Sequence, residues 1–187
     1  MNQVRIIGGA WRSRLITFPD SPGLRPTADR VRVTLFNWLG QDLTGKTCLD
    51  LFAGSGVLGF EALSRNAKRV LMIERDAKVR AGLTQSADTL HAHDRLDILG
   101  ADGLQFLLRR NERGDNSNNQ RFDVIFCDPP FKQGWFPKLW EPLQGVLAPG
   151  GLVYAESESA LAPPPPWRVA KSGKAGAVHY HLIELVS

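Results

Sequence analysis

Asp128-Pro129-Pro130-Phe131 places a carboxylate, two residues without a backbone donor and an aromatic ring directly after Phe122-Asp123-Val124-Ile125-Phe126-Cys127, an apolar run that reads as a strand. Proline fixes its own φ and donates no hydrogen bond, and the residue before a proline is pushed out of the helical region. The tetrapeptide therefore forms a stiff, extended lip. Such a lip presents the Asp128 carboxylate and main-chain carbonyls to an N–H donor, and Phe131 offers a flat face for stacking. That is chemistry for handling a planar amine. A strand that ends in a turn beside a core phenylalanine would carry the same residues, so the assignment needs a second feature.

The second feature lies upstream. Cys48-Leu49-Asp50-Leu51-Phe52 runs into Ala53-Gly54-Ser55-Gly56-Val57-Leu58-Gly59, and Phe60-Glu61-Ala62-Leu63 continues as a helix-like pattern. Strand, glycine-rich turn and helix in this order suit a nucleotide-like ligand: Gly54 and Gly56 allow positive φ and close approach, and Gly59 lets the helix pack on the sheet. The spacing is formally G-x-G-x-x-G. Asp50, four residues before the first glycine, turns the reading away from a dinucleotide, because a carboxylate there repels a pyrophosphate and attracts a cation.

Three more acids fall at strand ends. Glu74 closes Val70-Leu71-Met72-Ile73, 20 residues past Gly54, the distance expected of an acid that binds ribose hydroxyls. Ala101-Asp102 follows Leu96-Asp97-Ile98-Leu99-Gly100 and is placed to meet an adenine amine, and Asp128 is the fourth. In an open α/β sheet the carboxyl edge of the strands is where ligands bind. Each acid taken singly also suits the capping of the next helix. Together they match S-adenosylmethionine, which carries an adenine amine, ribose hydroxyls, an ammonium and a sulfonium. A unit charge pair about 4 Å apart is worth roughly 4 kcal/mol at an effective dielectric near 20, before desolvation. The expected cofactor contacts are Asp50, Phe52, Ala53, Gly54, Ser55, Gly56, Gly59, Glu74, Arg75, Ala101 and Asp102.

These residues need a scaffold, and the rest of the chain supplies one. From Lys46 onward, strands are predicted near 47–51, 69–74, 95–99, 122–127 and 151–156, alternating with helices near 57–65, 76–90, 103–110 and 135–147, the pattern of a doubly wound parallel sheet. Ahead of it, Val4 to Ile7 and Arg14 to Phe18 flank Gly8-Gly9 as a small hairpin. Pro19 to Pro26 is a linker, and Thr27 or Asp29 is placed to cap a helix reaching about Leu39, with Val31, Leu35 and Trp38 on one face. Gly114 to Gln120 reads as a polar loop, and Pro163-Pro164-Pro165-Pro166 as a stiff connector. Trp167 to Ala170 and Val178 to Leu185 then form a closing hairpin. One domain over 1–187 is expected, with residues 1–25 as an arm and 26–187 as a helix plus the catalytic α/β unit.

Charge is concentrated at the start. The first 40 residues carry Arg5, Arg12, Arg14, Arg25, Arg30 and Arg32 against Asp20 and Asp29; the remaining 17 basic and 17 acidic side chains cancel, so the whole net charge of +4 lies in that segment. Arginine suits bidentate phosphate contact and stacking on bases. With Trp11 and Phe18 interleaved, the segment reads as a nucleic-acid surface, and Lys132 adds a cation beside the lip; a solvated basic face is the plainer alternative. No apolar stretch reaches membrane-spanning length, and Cys48 and Cys127 fall in predicted buried strands as reduced thiols, which suits the cytoplasm. Glu156-Ser157-Glu158 ends the fifth strand either at the border of the site or as solvated acids. His91-x-His93 and His179-x-His181 lack a third ligand, and no metal site is expected.

Asp50-Leu51-Phe52-Ala53-Gly54-Ser55-Gly56, Glu74, Ala101-Asp102 and Asp128-Pro129-Pro130-Phe131 occur together with Arg5-Ile6-Ile7-Gly8-Gly9 and Arg25-Pro26-Thr27-x-Asp29-Arg30-Val31-Arg32. In this combination the chain resembles the RsmD-type 16S ribosomal RNA guanine-N2 methyltransferases over nearly its whole length. Thr34 stands where that family carries an acid. The resemblance implies a Rossmann-like, seven-stranded class I methyltransferase with a mostly parallel sheet, a C-terminal antiparallel hairpin and a small N-terminal β-hairpin extension. It further implies S-adenosylmethionine as cofactor, 16S ribosomal RNA or an assembling small subunit as partner, a monomer, and methyl transfer to the exocyclic N2 of a guanine by Asp128, Pro129, Pro130 and Phe131. The D-P-P-F motif by itself is shared with adenine-directed enzymes. A methyltransferase-fold assembly factor without turnover is the second functional class.

Overall fold

Apolar runs that alternate with glycine- and acid-bearing turns leave the chain few ways to bury its strands on both faces. The computed structural model describes residues 1–114 and 120–187; the polar stretch at 115–119 lies outside the described residues. The chain opens with a hairpin of β1 (Asn2–Arg5) and β2 (Leu15–Phe18), paired so that Val4 opposes Ile16. Helix α1 (Asp29–Leu39) follows, then β3 (Thr47–Asp50), α2 (Val57–Ser64), β4 (Arg69–Ile73), α3 (Ala77–Leu90) and β5 (Leu96–Leu99). Next come α4 (Gly103–Glu112), β6 (Phe122–Cys127), α5 (Phe136–Val146), β7 (Leu147–Ser157), β8 (Trp167–Ala175) and β9 (Val178–Leu185).

Seven of these strands form one sheet of order β5-β4-β3-β6-β7-β9-β8. Strands β3 to β7 are mutually parallel, and β9 enters antiparallel between β7 and β8. The predicted parallel core and closing hairpin are both present. Strand β7 begins earlier than the expected 151, because Leu147 already pairs with Phe122 as α5 ends. One buried cluster, which includes Phe36, Phe60, Met72, Phe126 and Tyr154, covers one face of the sheet; the other, with Leu49, Ile125, Leu139, Leu143 and Trp167, covers the opposite face. The chain order reverses between β3 and β6, which are hydrogen-bonded neighbours, so the crevice of this sheet opens where Asp50 and Asp128 end their strands.

The amino-terminal segment is tied to the sheet rather than hung from it. Ile6 and Ile16 are buried in the larger cluster. Glu61, fully buried in α2, accepts from the amides of Ile7 (3.1 Å) and Gly8 (2.8 Å), from Arg32 Nη1 (3.0 Å) and from Arg65 Nη2 (3.1 Å). Arg32 also donates through Nε to the Thr27 carbonyl (3.0 Å) and through Nη1 to the Arg5 carbonyl (2.9 Å), and it pairs with Asp29. The turn after Ile7 rests on α2, where the Ala10 amide donates to the Ser64 carbonyl (2.7 Å). Gly9 fits there with φ of +77°; a β-carbon would stand 1.9 Å from that same carbonyl oxygen.

Two capping expectations are corrected. Neither Thr27 nor Asp29 caps α1: Ala28 holds the N-cap position with no side-chain bond, Thr27 turns its hydroxyl to Glu156, and Asp29 pairs with Arg32 inside the first turn. His91, considered for metal binding, is the left-handed C-cap of α3, while His93 pairs with Asp88. No group of three or more metal-ligating side chains occurs among the described residues. No helix among them is long and apolar enough to cross a membrane.

Candidate active site

The glycine turn forms because the chain must leave β3 and start α2 without side chains in the way. Gly56 is the N-cap of α2 at φ +79°, and a β-carbon there would lie 2.6 Å from Leu83 and 2.8 Å from Phe60. Asp50 is 3% exposed, and its Oδ2 accepts from the Gly59 amide (3.1 Å), so the strand-end acid also holds the first turn of the helix. Burial pushes the Asp50 carboxyl up to about 8; the Gly59 bond opposes the rise, and the charges of Glu74 and Glu156 add to it.

Glu74 stands at the end of β4 with Oε2 accepting from the Gly54 amide (3.0 Å) and Oε1 from the Asp76 amide (3.0 Å). An ionised carboxylate offers about four acceptor positions, so two remain for hydroxyls. Arg75 beside it is exposed. Asp102 is the N-cap of α4 and accepts from the Gln105 amide (3.0 Å). The capping use is thus realised with Oδ1, and half-buried Ala101 precedes it. Phe52 packs edge-on against Trp135 with ring centroids 5.3 Å apart, which joins the glycine turn to the segment that follows the lip. Ala53 and Ser55 are buried within the turn.

Asp128 follows β6 in the same edge. Pro129 is buried, whereas Pro130 and Phe131 are exposed. The lip turns back toward β7, where the Lys132 amide donates to Glu158 Oε1 (3.1 Å). Between lip and β7 lies a cleft of about 190 Å³ lined by Pro129, Phe131, Trp135, Glu156, Ser157 and Leu161, among others. Burial raises the Asp128 carboxyl well above the carboxylate range, and the charges of Glu156 and Asp50 raise it further. Glu156 is 5% exposed and accepts from the Thr27 hydroxyl (2.7 Å) and the Tyr154 hydroxyl (2.7 Å). The end of β7 therefore borders the site, with Glu156 buried in it and Glu158 exposed beside the lip.

Asp50, Asp128 and Glu156 gather in one crevice: the Glu156 charge raises both of the others and the Asp50 charge raises Asp128, so a positive ligand is favoured there. Across this crevice runs the linker before α1, with the Leu24 side chain so close to Gly54 that a β-carbon there would be 2.9 Å away. The arginines fall into distinct places. Arg12 and Arg14 are exposed, Arg14 donating to the Thr89 carbonyl (3.0 Å) at the far end of α3, and Arg5 is exposed beside Ser13. Trp11 is half-buried, its ring 5.6 Å from the Arg95 guanidinium carbon. Arg25 and Arg30 are exposed on either side of Thr27, at the crevice end. Arg32 is a correction: expected on the nucleic-acid surface, it is 0% exposed and committed to Glu61, Asp29 and two carbonyls. Glu61, the acid that holds this arginine, belongs to none of the sequence motifs. An acid inside the otherwise apolar helix run Val57 to Ser64 is the signal, because a buried charge requires partners.

A seven-stranded sheet with a single reversed strand next to its far edge, a glycine turn at the switch point and an acidic crevice defines a Rossmann-like class I methyltransferase. Residues 4–184 match the family described as Conserved hypothetical protein 95. Ribosomal RNA small subunit methyltransferase D of Escherichia coli strain K12 is 42% identical over 187 residues, covering 97% of this chain and 90% of the relative. Its namesake from Haemophilus influenzae is 40% identical, covering 97% and 94%. The solved structure of yhhF from Escherichia coli superposes with a TM-score of 0.83 at 39% identity over 98% of each chain. The chain belongs to this family, that of ribosomal RNA small subunit methyltransferase D.

Proposed function

We propose that the chain transfers a methyl group from S-adenosylmethionine to the exocyclic N2 of a guanine in 16S ribosomal RNA, free or in an assembling small subunit, acting as a cytoplasmic monomer. The observation that carries this reading is the meeting of Asp128 and its proline lip with the acidic crevice at the switch point of the sheet. The donor set suits the cofactor: Glu74, with one bond on each oxygen, would hold the ribose hydroxyls, Ala101 and the second oxygen of Asp102 would meet the adenine, and Asp50 with the Gly54 to Gly59 turn would receive the charged end. Phe52, Ala53, Ser55 and Gly56 shape the wall, and Arg75 stands at its rim. When bound, S-adenosylmethionine supplies an electrophilic methyl on a sulfonium.

Guanine N2 is a weak nucleophile because its lone pair is delocalised into the ring. Asp128 and the Pro129 carbonyl accept its N–H bonds and orient it as the lone pair localises, while Phe131 stacks on the base and Pro130 stiffens the lip. A base taken from a stack or pair costs a few kcal/mol, which phosphate contacts by Arg5, Arg12, Arg14, Arg25, Arg30 and Lys132 offset. The test is incubation with labelled S-adenosylmethionine and unmethylated small subunits or naked RNA, followed by nucleoside analysis. N2-methylguanosine in 16S RNA is the expected product. N6-methyladenosine would reassign the base, and no incorporation into any RNA would make the chain a binding factor without turnover.

A further inference from the structure

Glu156 is the buried acid in the crevice to which the methyl-transfer reading gives no task. Its place is fixed by the ladder between β6 and β7: Phe126 pairs with Tyr154 and Cys127 with Ala155, so Asp128 and Glu156 come next, side by side. Its Oε1 is oriented by two hydroxyls, Thr27 from the linker and Tyr154 from its own strand, each at 2.7 Å. Tyr180 pairs with it from β9, and Asp50 at the end of β3 faces the same space. The neighbours that face it are thus hydroxyls and further acids. The two carboxyls are therefore neighbours at the ends of adjacent parallel strands, and the Glu156 charge raises Asp128. Two neighbouring carboxyl groups make a hydrogen bond only when one of them holds a proton.

We propose that Glu156 is a positioning residue for Asp128: the two carboxyls share one proton, Glu156 carries the charge under its two hydroxyl donors, and Asp128 turns its free carbonyl oxygen to the acceptor amine. The direction of each acidity agrees. Burial raises both groups, but the Tyr154 and Thr27 hydroxyls draw Glu156 back down, whereas the Glu156 charge drives Asp128 higher. Resting on the methyl-transfer reading, the pair also closes the proton balance. The N2 lone pair forms the new N–C bond as the S–C bond breaks and its electrons stay on sulfur, leaving a neutral thioether and a cationic N2. Asp128 takes one proton from N2 through its carbonyl oxygen and passes its own to Glu156. The pair goes from one proton to two and then returns one to water.

The experiment compares kcat against pH for the whole chain and its variants with labelled S-adenosylmethionine and unmethylated small subunits. Glu156→Gln keeps an oxygen for Thr27 and Tyr154 and supplies an N–H to Asp128, but it has no second proton to share. Wild type should lose kcat on the alkaline side as the shared proton leaves. Glu156→Gln should show kcat lowered about tenfold or more, KM for the particle within a few-fold, and no alkaline fall. Thr27→Val removes a donor to the charged oxygen, so its acid limb should move to higher pH. It also serves if Glu156→Gln does not fold. A wild type without an alkaline limb, a Glu156→Gln profile equal to wild type, or an unmoved acid limb in Thr27→Val would each overturn the proposal. Failure of wild type to methylate any RNA would instead remove the reading beneath it.

Discussion

Arg32 Nη1 and Glu61 Oε2 meet at 3.0 Å with neither side chain exposed to solvent. The pair crosses from α1 to α2 and, through the Ile7 and Gly8 amides and the Arg5 carbonyl, holds the arginine-bearing segment on the catalytic sheet. A buried ion pair offsets its desolvation only when its remaining hydrogen-bonding groups are also satisfied, and here Arg65, two amides and two carbonyls complete the set. The arm and the helices α1 and α2 that pack on the sheet are therefore mechanically one body at this point.

Glu61→Ala leaves buried Arg65 without its acid and fully buried Arg32 with only the exposed Asp29. The expected loss is about 3–5 kcal/mol, the range for a broken buried pair. Urea denaturation followed by circular dichroism measures it. A loss under about 1 kcal/mol would mean the network is solvated in practice and does not tie the arm down.

The parallel sheet, its element order and the closing hairpin were legible because apolar runs of strand length alternated with helical periods and the glycine and proline punctuation fell between them. The strand-end places of Asp50, Glu74 and Asp128 are legible for the same reason: each ends such a run. Arg32 was misjudged because its type and spacing match Arg25 and Arg30, and only the packing of α1 on α2 separates a buried guanidinium from exposed ones. Thr27 carried the letters of a cap, yet a carboxylate 129 residues away competes for its hydroxyl. Glu156 could not be assigned because its partner Asp128 becomes a neighbour only through strand pairing.

The weakened acidity of Asp50 has a sign that can be measured. An acid whose folded value lies near 8, above its unfolded value near 4, destabilises the fold progressively as pH rises across that window. The ligand-free chain should therefore lose melting temperature from about pH 5 to pH 8, and Asp50→Asn should flatten that slope. A slope unchanged in Asp50→Asn would assign it to other groups.

Binding a cation reverses the same shift. At pH 7 the crevice holds protons that a sulfonium displaces, so S-adenosylmethionine should release a fraction of a proton or more on binding, and S-adenosylhomocysteine, without that charge, less. Calorimetry in phosphate and in Tris separates the two through their ionisation enthalpies. Identical apparent enthalpies in both buffers would show that the acids are already ionised.

The exposed arginines occupy two places, and α3 sets the distance between them. Its 14 residues span roughly 21 Å at 1.5 Å per residue, with Arg14 at the far end and the linker at the crevice end. Arg12→Ala with Arg14→Ala should weaken RNA binding across sequences and reduce the salt slope by about two phosphate contacts. Arg25→Ala with Arg30→Ala should do the same beside Thr27. Filter binding from low to moderate salt reads both; slopes equal to wild type would take the RNA path off that side of the chain.

Asp128→Ala separates the acceptor site from the cofactor site. The other groups proposed to hold the cofactor, Asp50 bonded to Gly59 and Glu74 bonded to Gly54, keep their geometry without it, because none of their bonds runs through Asp128. S-adenosylmethionine affinity should therefore stay within a few-fold, the small change reflecting one fewer acid near a cation. Turnover should fall by about 10³-fold or more, since the amine loses both its acceptor and the route for its proton. Equilibrium binding of the cofactor and single-turnover methylation, measured on the same preparation, give the two numbers independently. If both fell together and in proportion, Asp128 would belong to the cofactor's binding site, and the proline lip would have to find another partner for the amine.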